Sequence, residues 1–257
     1  MGVEKRSFVC SRERFVIRGV EYKCENNNRI PIIMSHAFLS NQKIMKKYAE
    51  TLAQEGYVVF TYDFCGGALF GKSDGKFSDM SIYTEKDDLK AVIAYVETLS
   101  YVEVKRLVLV GASQGGFVSC LVSSEYQDRI SKLILLYPAL CIPDNAREGK
   151  MLMVKFDPEH IEETLTSRPF KFSAEYPKSA IDINVFDEIK KIKIPMLIIH
   201  GSADKIVDVR YAREAVDIAA NRASDLVVLE NAGHGFNKNQ FKEAMRYIIE
   251  YLEHTNS

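Results

Sequence analysis

The stretch from Arg106 to Val122 constrains this chain more than any other. Arg106 to Val110 is an apolar, β-branched run closed by a glycine, which reads as a buried strand. Gln114 to Val122 reads as a helix. Between them lies Gly111-Ala112-Ser113-Gln114-Gly115, a G-x-S-x-G. A strand that reverses into a helix within so few residues leaves the serine at the apex of a strained turn. Gly111 and Gly115 remove the side chains that would clash at the bend. Such a turn presents Ser113 Oγ at the carboxyl end of a sheet. It also aims a helix N-terminus at any developing anion and frees the Gln114 N–H as a donor.

The rest of the chain alternates strands with helices. Ser7 to Cys10 and Phe15 to Cys24 read as a hairpin, and Pro31 to Ser35 as a buried strand. A helix is predicted from Gln42 to Glu55, then a strand from Tyr57 to Tyr62. The long glycine-rich loop Asp63 to Gly75 follows, with apolar Phe64, Leu69 and Phe70. Apolar Leu89, Val92, Ile93 and Val96 have helical spacing in a helix from Thr84 to Leu99. Lys132 to Tyr137 and Pro195 to His200 are buried strands, and Val207 to Ala220 is a helix. Asp225 to Leu229 is a last strand and Gln240 to Leu252 a last helix. This alternation predicts a doubly wound α/β fold with a mostly parallel sheet covered on both faces. Residues 139–191 break the pattern. They read as a small cap inserted into a core made of residues 1–138 and 192–257.

Composition narrows the setting. The 257 residues carry a net charge of −1, which gives no reason to expect nucleic acid or a membrane surface as partner. No apolar run approaches a membrane span and none resembles a signal peptide. Five widely spaced cysteines without a C-x-x-C read as reduced thiols of a cytoplasmic protein, not a zinc site or disulfide framework.

A serine hydroxyl attacks only when a base takes its proton. In an α/β chain the acid and the base follow the serine, each after a later strand. Asp204 sits in a polar loop directly past the strand Pro195 to Ile199, at the edge where open α/β sheets place their sites. Asp208 is its rival, better placed in the next helix. His234 lies between Gly233 and Gly235 past the last strand. His36 and His200 read as structural histidines, while His160 and His254 lie in the insertion and the C-terminal tail. The second oxyanion donor should follow the strand Ile32 to Met34; Phe38 N–H is preferred, with Ala37 as rival.

These pieces carry a resemblance. His36-Ala-Phe-Leu-Ser-Asn41, Ser73-Asp-Gly-Lys-Phe77, Gly111-Ala-Ser-Gln-Gly-Gly116, Phe156-Asp-Pro-Glu-His160, His200-Gly-Ser-Ala-Asp204 and Ala232-Gly-His234 resemble motifs of the α/β-hydrolases. Over nearly the whole chain the similarity is to bacterial cinnamoyl/feruloyl esterases. It implies a Ser113–Asp204–His234 triad, an oxyanion hole from the Phe38 and Gln114 backbones, and a cap over the aromatic part of the substrate. Ala37 stands where the family pattern has glycine, and Cys65 to Phe70 is longer than the compact family loop. With no tryptophan, aryl stacking falls to Phe or Tyr. The expectation is a serine ester hydrolase acting on small aryl or acyl esters, with no metal or cofactor. A homodimer is compatible with it. Acylglycerol lipase, thioesterase, small peptidase and non-catalytic binding protein are the alternatives. Leu69, Phe70, Phe156 and Tyr176 are the expected substrate contacts. Met151, Met153, Phe170 and Phe172 are further apolar residues of the cap.

Overall fold

The computed structural model describes residues 2–151, 154–220 and 223–254, so Met153 lies outside the described residues. The chain opens with a hairpin, β1 (Glu4–Arg12) and β2 (Phe15–Lys23). Strand β3 (Pro31–Ser35), helix α1 (Lys46–Gln54), strand β4 (Val58–Tyr62) and helix α2 (Ile82–Glu97) follow. Strand β5 (Val108–Ala112) runs into α3 (Gln114–Glu125), and β6 (Lys132–Leu136) ends the first half. Residues 139–191 hold α4 (Ile142–Arg147), the short pair β7 (Lys150–Met151) and β8 (Val154–Lys155), the hairpin β9 (Thr164–Ser167) and β10 (Phe170–Ser173), α5 (Glu175–Ile181) and α6 (Val185–Lys191). Strand β11 (Met196–Gly201), α7 (Arg210–Ile218), β12 (Asp225–Leu229) and α8 (Lys238–His254) complete the chain.

Eight strands form one sheet in the order β1-β2-β4-β3-β5-β6-β11-β12. The six strands from β4 to β12 are mutually parallel, and β2 joins β4 antiparallel. Successive side chains point to opposite faces, and here both faces are covered. Ile33, Leu109, Leu133 and Ile198 pack with α2 and α3, while Ile32, Met34, Val108 and Ile199 pack with α1 and α8. That is why the central strands read as unbroken apolar runs.

Several boundaries differ from the sequence reading, three of them for a visible reason. Strand β5 starts two residues later and runs through Gly111 and Ala112, because Gly111 pairs with Ser35 of β3 and Ala112 with Leu136 of β6. The helix expected from Gln42 begins as a short 3₁₀ turn, Gln42–Met45, capped by the Asn41 side chain, before α1 takes over. Strand β1 extends to Glu4 and Arg12 because β2 offers partners along its whole length. Among the described residues no helix is long and apolar enough to cross a membrane.

A buried ion pair fastens the hairpin to the helical layer. Arg12 Nε donates to Asp88 Oδ1 at 2.6 Å, and Asp88 Oδ2 accepts from Cys65 N–H at 2.7 Å. Burial pushes the Asp88 carboxyl up to about 6, with Arg12 pulling the other way. Removing the guanidinium leaves a buried carboxyl that ionises only at a cost. Its folded-state pKa then rises further above the unfolded value, so stability is lost as pH rises through the folded value. Arg12→Met is expected to cost about 3 kcal/mol above pH 7. Near pH 4, where Asp88 is protonated, the cost should be much smaller, as urea unfolding at the two pH values will show.

Candidate active site

Ser113 occupies the turn from β5 into α3 with φ 52° and ψ −118°. A non-glycine residue held there carries roughly 1–3 kcal/mol of strain, so the surroundings must hold it in place. Its N–H donates to Leu136 O at 3.0 Å, and its carbonyl accepts from Ala139 N–H at 2.9 Å and Phe117 N–H at 3.1 Å. The two motif glycines let the backbones close in. A Cβ on Gly115 would lie 2.6 Å from the Ser35 carbonyl oxygen, and one on Gly111 would lie 2.6 Å from Gly116 Cα. The helix therefore sits hard against the end of β3.

Asp204 and His234 come from the loops after β11 and β12. Ser202 N–H donates to Leu229 O, Ala203 N–H to Ala232 O and Asn231 N–H to Ser202 Oγ, which ties the two loops together. His234 Nδ1 lies 2.8 Å from Asp204 Oδ2, and His234 Nε2 lies 2.9 Å from Ser113 Oγ. The Asp204 side chain is 0% exposed and that of His234 is 15% exposed. Burial alone would raise the Asp204 carboxyl. Hydrogen bonds from His200, His234 and the Val207 and Ile206 N–H groups outweigh it and hold the group well below the usual carboxylate range. An ionised Asp204 only accepts, so it keeps a proton on Nδ1 and leaves the Nε2 lone pair facing the serine hydroxyl. The Tyr137 ring and the imidazole meet edge to face at a centroid distance of 5.0 Å, and Phe236 backs Tyr137. Asp208 is elsewhere: its Oδ1 accepts from Arg210 N–H at the start of α7.

His36 and His200 have structural partners. His36 is buried, with Nδ1 donating to Ala37 O and Nε2 accepting from Phe64 N–H. Burial lowers its pKa. His200 Nε2 lies 3.0 Å from Val207 O and 3.2 Å from Asp204 Oδ2, so this buried ring helps to hold the acid.

A cavity of about 160 Å³ opens beside Ser113. Phe38, Gln114, Tyr176 and His234 line it, with Ala37, Ala139 and Ile142. Gln114 opens α3, so its N–H has no carbonyl one turn earlier to bond to. Leu69, Phe70 and Phe156 are not brought to this cavity. Leu69 N–H donates to Ser40 O, and Asn41 Nδ2 donates to Leu69 O, which pins their loop along the segment after β3. Phe70 is 86% exposed and borders a separate depression with Arg18 and Asp63. Phe156 is half-buried against the main core.

The sequence reading missed Cys141, Ile142, Asn145, Ile206 and Val207 in the cavity wall. A signal existed for the last two, since a carboxylate in a tight loop draws in the N–H groups two and three residues on. Burial pushes the Cys141 thiol up to about 11, which keeps it protonated and poorly nucleophilic at neutral pH. Among the described residues no group of three or more His, Cys, Asp or Glu could hold a metal ion. The chemistry on offer is thus a hydroxyl hydrogen-bonded to an imidazole, that imidazole fixed by a buried carboxylate, and a helix N-terminus alongside.

The chain belongs to the Hydrolase_4 family of S33 serine aminopeptidases, which matches residues 26–180. It is a serine hydrolase with the α/β-hydrolase fold, and it resembles the cinnamoyl/feruloyl esterases. The structure of Est1E from Butyrivibrio proteoclasticus with ferulic acid bound superposes with a TM-score of 0.87 and 28% identity, covering 95% of this chain and 99% of that one. The AB hydrolase superfamily protein YisY of Bacillus subtilis is 24% identical over 238 residues, which cover 80% of this chain and 85% of YisY. Human monoacylglycerol lipase ABHD6 is 25% identical over 260 residues, covering 86% of this chain and 74% of ABHD6.

Two glycines at the site should respond oppositely to a methyl group. Gly115→Ala drives a methyl into the backbone of β3 and is expected to cost about 3 kcal/mol, with loss of the elbow geometry. Gly233→Ala, beside His234, meets nothing within 4 Å and should change stability by less than about 0.5 kcal/mol. Urea midpoints of the two variants check this.

Proposed function

We propose that this S33-family hydrolase is a serine carboxylic-ester hydrolase acting on esters with a small aryl or acyl group, hydroxycinnamoyl esters among them. The observation that carries the proposal is the Ser113–His234–Asp204 hydrogen-bond chain at the mouth of a largely apolar cavity. Ser113 Oγ attacks the ester carbonyl while His234 Nε2 takes its proton. Asp204 keeps the imidazole in the required tautomer and stabilises the imidazolium. The Gln114 and Phe38 N–H groups receive the oxyanion, each worth roughly 10²–10³ in rate. His234 returns the proton to the leaving alcohol, and water then cleaves the acyl-enzyme by the same route. Residues 139–191 act as a cap that supplies Ile142, Met151 and Tyr176 to the acyl or aryl group and excludes water.

The similarity to Est1E with ferulic acid favours the aryl reading. The human ABHD6 relative favours a second one, cleavage of a monoacylglycerol, whose acyl chain the same apolar wall would also accept. Initial rates on methyl ferulate, a monoacylglycerol and p-nitrophenyl acetate separate the two. The aryl reading predicts the highest kcat/KM for methyl ferulate. A preference for the monoacylglycerol selects the other, and hydrolysis of none of the three rejects both.

Two substitutions test the parts. Asp204→Asn favours the wrong imidazole tautomer and should lower kcat about 10⁴-fold, the size of that effect in another triad. Asp208→Asn should stay within about twofold, because it is a surface change away from the reacting groups. Met151→Ala shortens the cavity wall and should lower the ratio of kcat/KM for methyl ferulate to that for p-nitrophenyl acetate about tenfold. An unchanged ratio would remove the cap from substrate selection.

A further inference from the structure

A buried polar chain runs behind the oxyanion residues, and the reaction described above does not use it. The Gln114 side chain is buried and held at both ends. Its Nε2 donates to Glu85 Oε2 of α2 at 2.8 Å, and its Oε1 accepts from the Tyr176 hydroxyl of α5 at 2.5 Å. Glu85 is itself buried and is not among the residues lining the cavity. The loop after β4 makes room for it, since a Cβ on Gly67 would collide with a Glu85 carboxyl oxygen. The same two helices meet again one turn further along α5. Ile82 N–H donates to Ser179 Oγ at 2.9 Å, and Ser179 Oγ donates to Tyr176 O at 2.7 Å.

Tyr176 also reaches the other oxyanion residue. Its ring stacks on that of Phe38 at a centroid distance of 5.4 Å and an interplanar angle of 5°. Phe172 of β10, fully buried, packs on Phe38 at 5.7 Å. One tyrosine in the 139–191 segment therefore holds the side chains of both residues whose N–H groups are assigned to the oxyanion.

We propose that Glu85 and Tyr176 are positioning residues that fix the Gln114 and Phe38 backbones, so that the 139–191 segment and α2 together set the geometry of the oxyanion hole. The inference rests on the ester-hydrolase reading above. The physical reason lies in the cost of a buried amide. Without an acceptor at position 85 the buried Gln114 Nε2 is orphaned, and the side chain turns or shifts to find another partner. The first turn of α3 moves with it. A donor that moves by a fraction of an ångström loses its advantage in the transition state and little of it in the ground state, since only the transition state carries the full oxyanion charge. Burial, helped by the neighbouring Asp88 carboxylate, pushes the Glu85 carboxyl up to about 8 against the pull of Gln114. At neutral pH the group is mostly a neutral acceptor, which a glutamine can imitate.

The test uses the full chain with p-nitrophenyl acetate as substrate and phenylboronic acid as a tetrahedral analogue that bonds to Ser113. Glu85→Leu should lower kcat at least about tenfold with KM unchanged, as expected when reacting groups are displaced by well under 1 Å. Boronic acid affinity should fall by the same factor. Glu85→Gln, which keeps the acceptor, should restore both to within about twofold. Tyr176→Phe keeps the ring on Phe38 and removes only the hydroxyl, so it should give a smaller loss with the same pattern. It carries the test if Glu85→Leu does not fold. Unchanged kcat and boronic acid affinity in Glu85→Leu or Tyr176→Phe would overturn the proposal. So would a raised KM alone, or a Glu85→Gln variant as impaired as Glu85→Leu. A wild-type chain that neither hydrolyses esters nor binds the boronic acid would instead remove the ester-hydrolase reading and this inference with it.

Discussion

The site depends on how closely α3 can approach the end of β3. Gly115 has its backbone against the carbonyls of Ser35 and His36, and Gly111 has its own against Gly115 and Gly116. No side chain fits in either place. That contact lets Ser113 sit at φ 52° with its hydroxyl at the edge of the sheet. The strain is held by ordinary hydrogen bonds to β6 and to the start of the inserted segment. Because β5 is paired on both sides, by β3 and β6, the elbow cannot relax by tilting the strand.

Electrostatics follows from the same packing. Asp204 is buried beside the imidazole, which would normally favour its neutral form. Four donors reverse this: two histidines on one oxygen and two backbone N–H groups on the other. Its folded pKa is depressed, so the stability this carboxylate contributes is present above the unfolded pKa and is lost as pH falls through the folded value. The opposite case lies on α2. There Glu85 accepts from the Gln114 amide and Asp88 from Arg12 and the Cys65 N–H, and burial raises both. Asp204 and the Arg12-paired Asp88 keep their charge at neutral pH, whereas Glu85, with the Gln114 amide as donor, gives it up.

Much of this could be read in the sequence, for a physical reason. Ser113, Asp204 and His234 each follow an apolar run long enough to be a central strand, and parallel strands deliver their carboxyl ends to one edge. Their meeting was therefore legible without coordinates. The elements of residues 139–191 were not, because helices and strands of two to seven residues are shorter than the periods that reveal them. Leu69 and Phe70 were expected at the site because they are apolar and in a nearby loop. Which way a loop lies depends on bonds such as that from Leu69 N–H to Ser40 O, and composition carries no record of those. Glu85 could have been noticed. It stands four residues before Leu89, on the same face of α2 as the apolar stripe, where an acid must find a buried partner.

The hydroxyl of Ser113, 2.9 Å from His234 Nε2, is the proposed nucleophile of this serine hydrolase. Intact-mass analysis after treatment with a fluorophosphonate measures this most directly, because the adduct forms only on a hydroxyl that an adjacent base activates. One adduct per chain is expected, located on Ser113 by peptide mapping, and none in Ser113→Ala. An adduct on another residue, or the same adduct in the alanine variant, would contradict it.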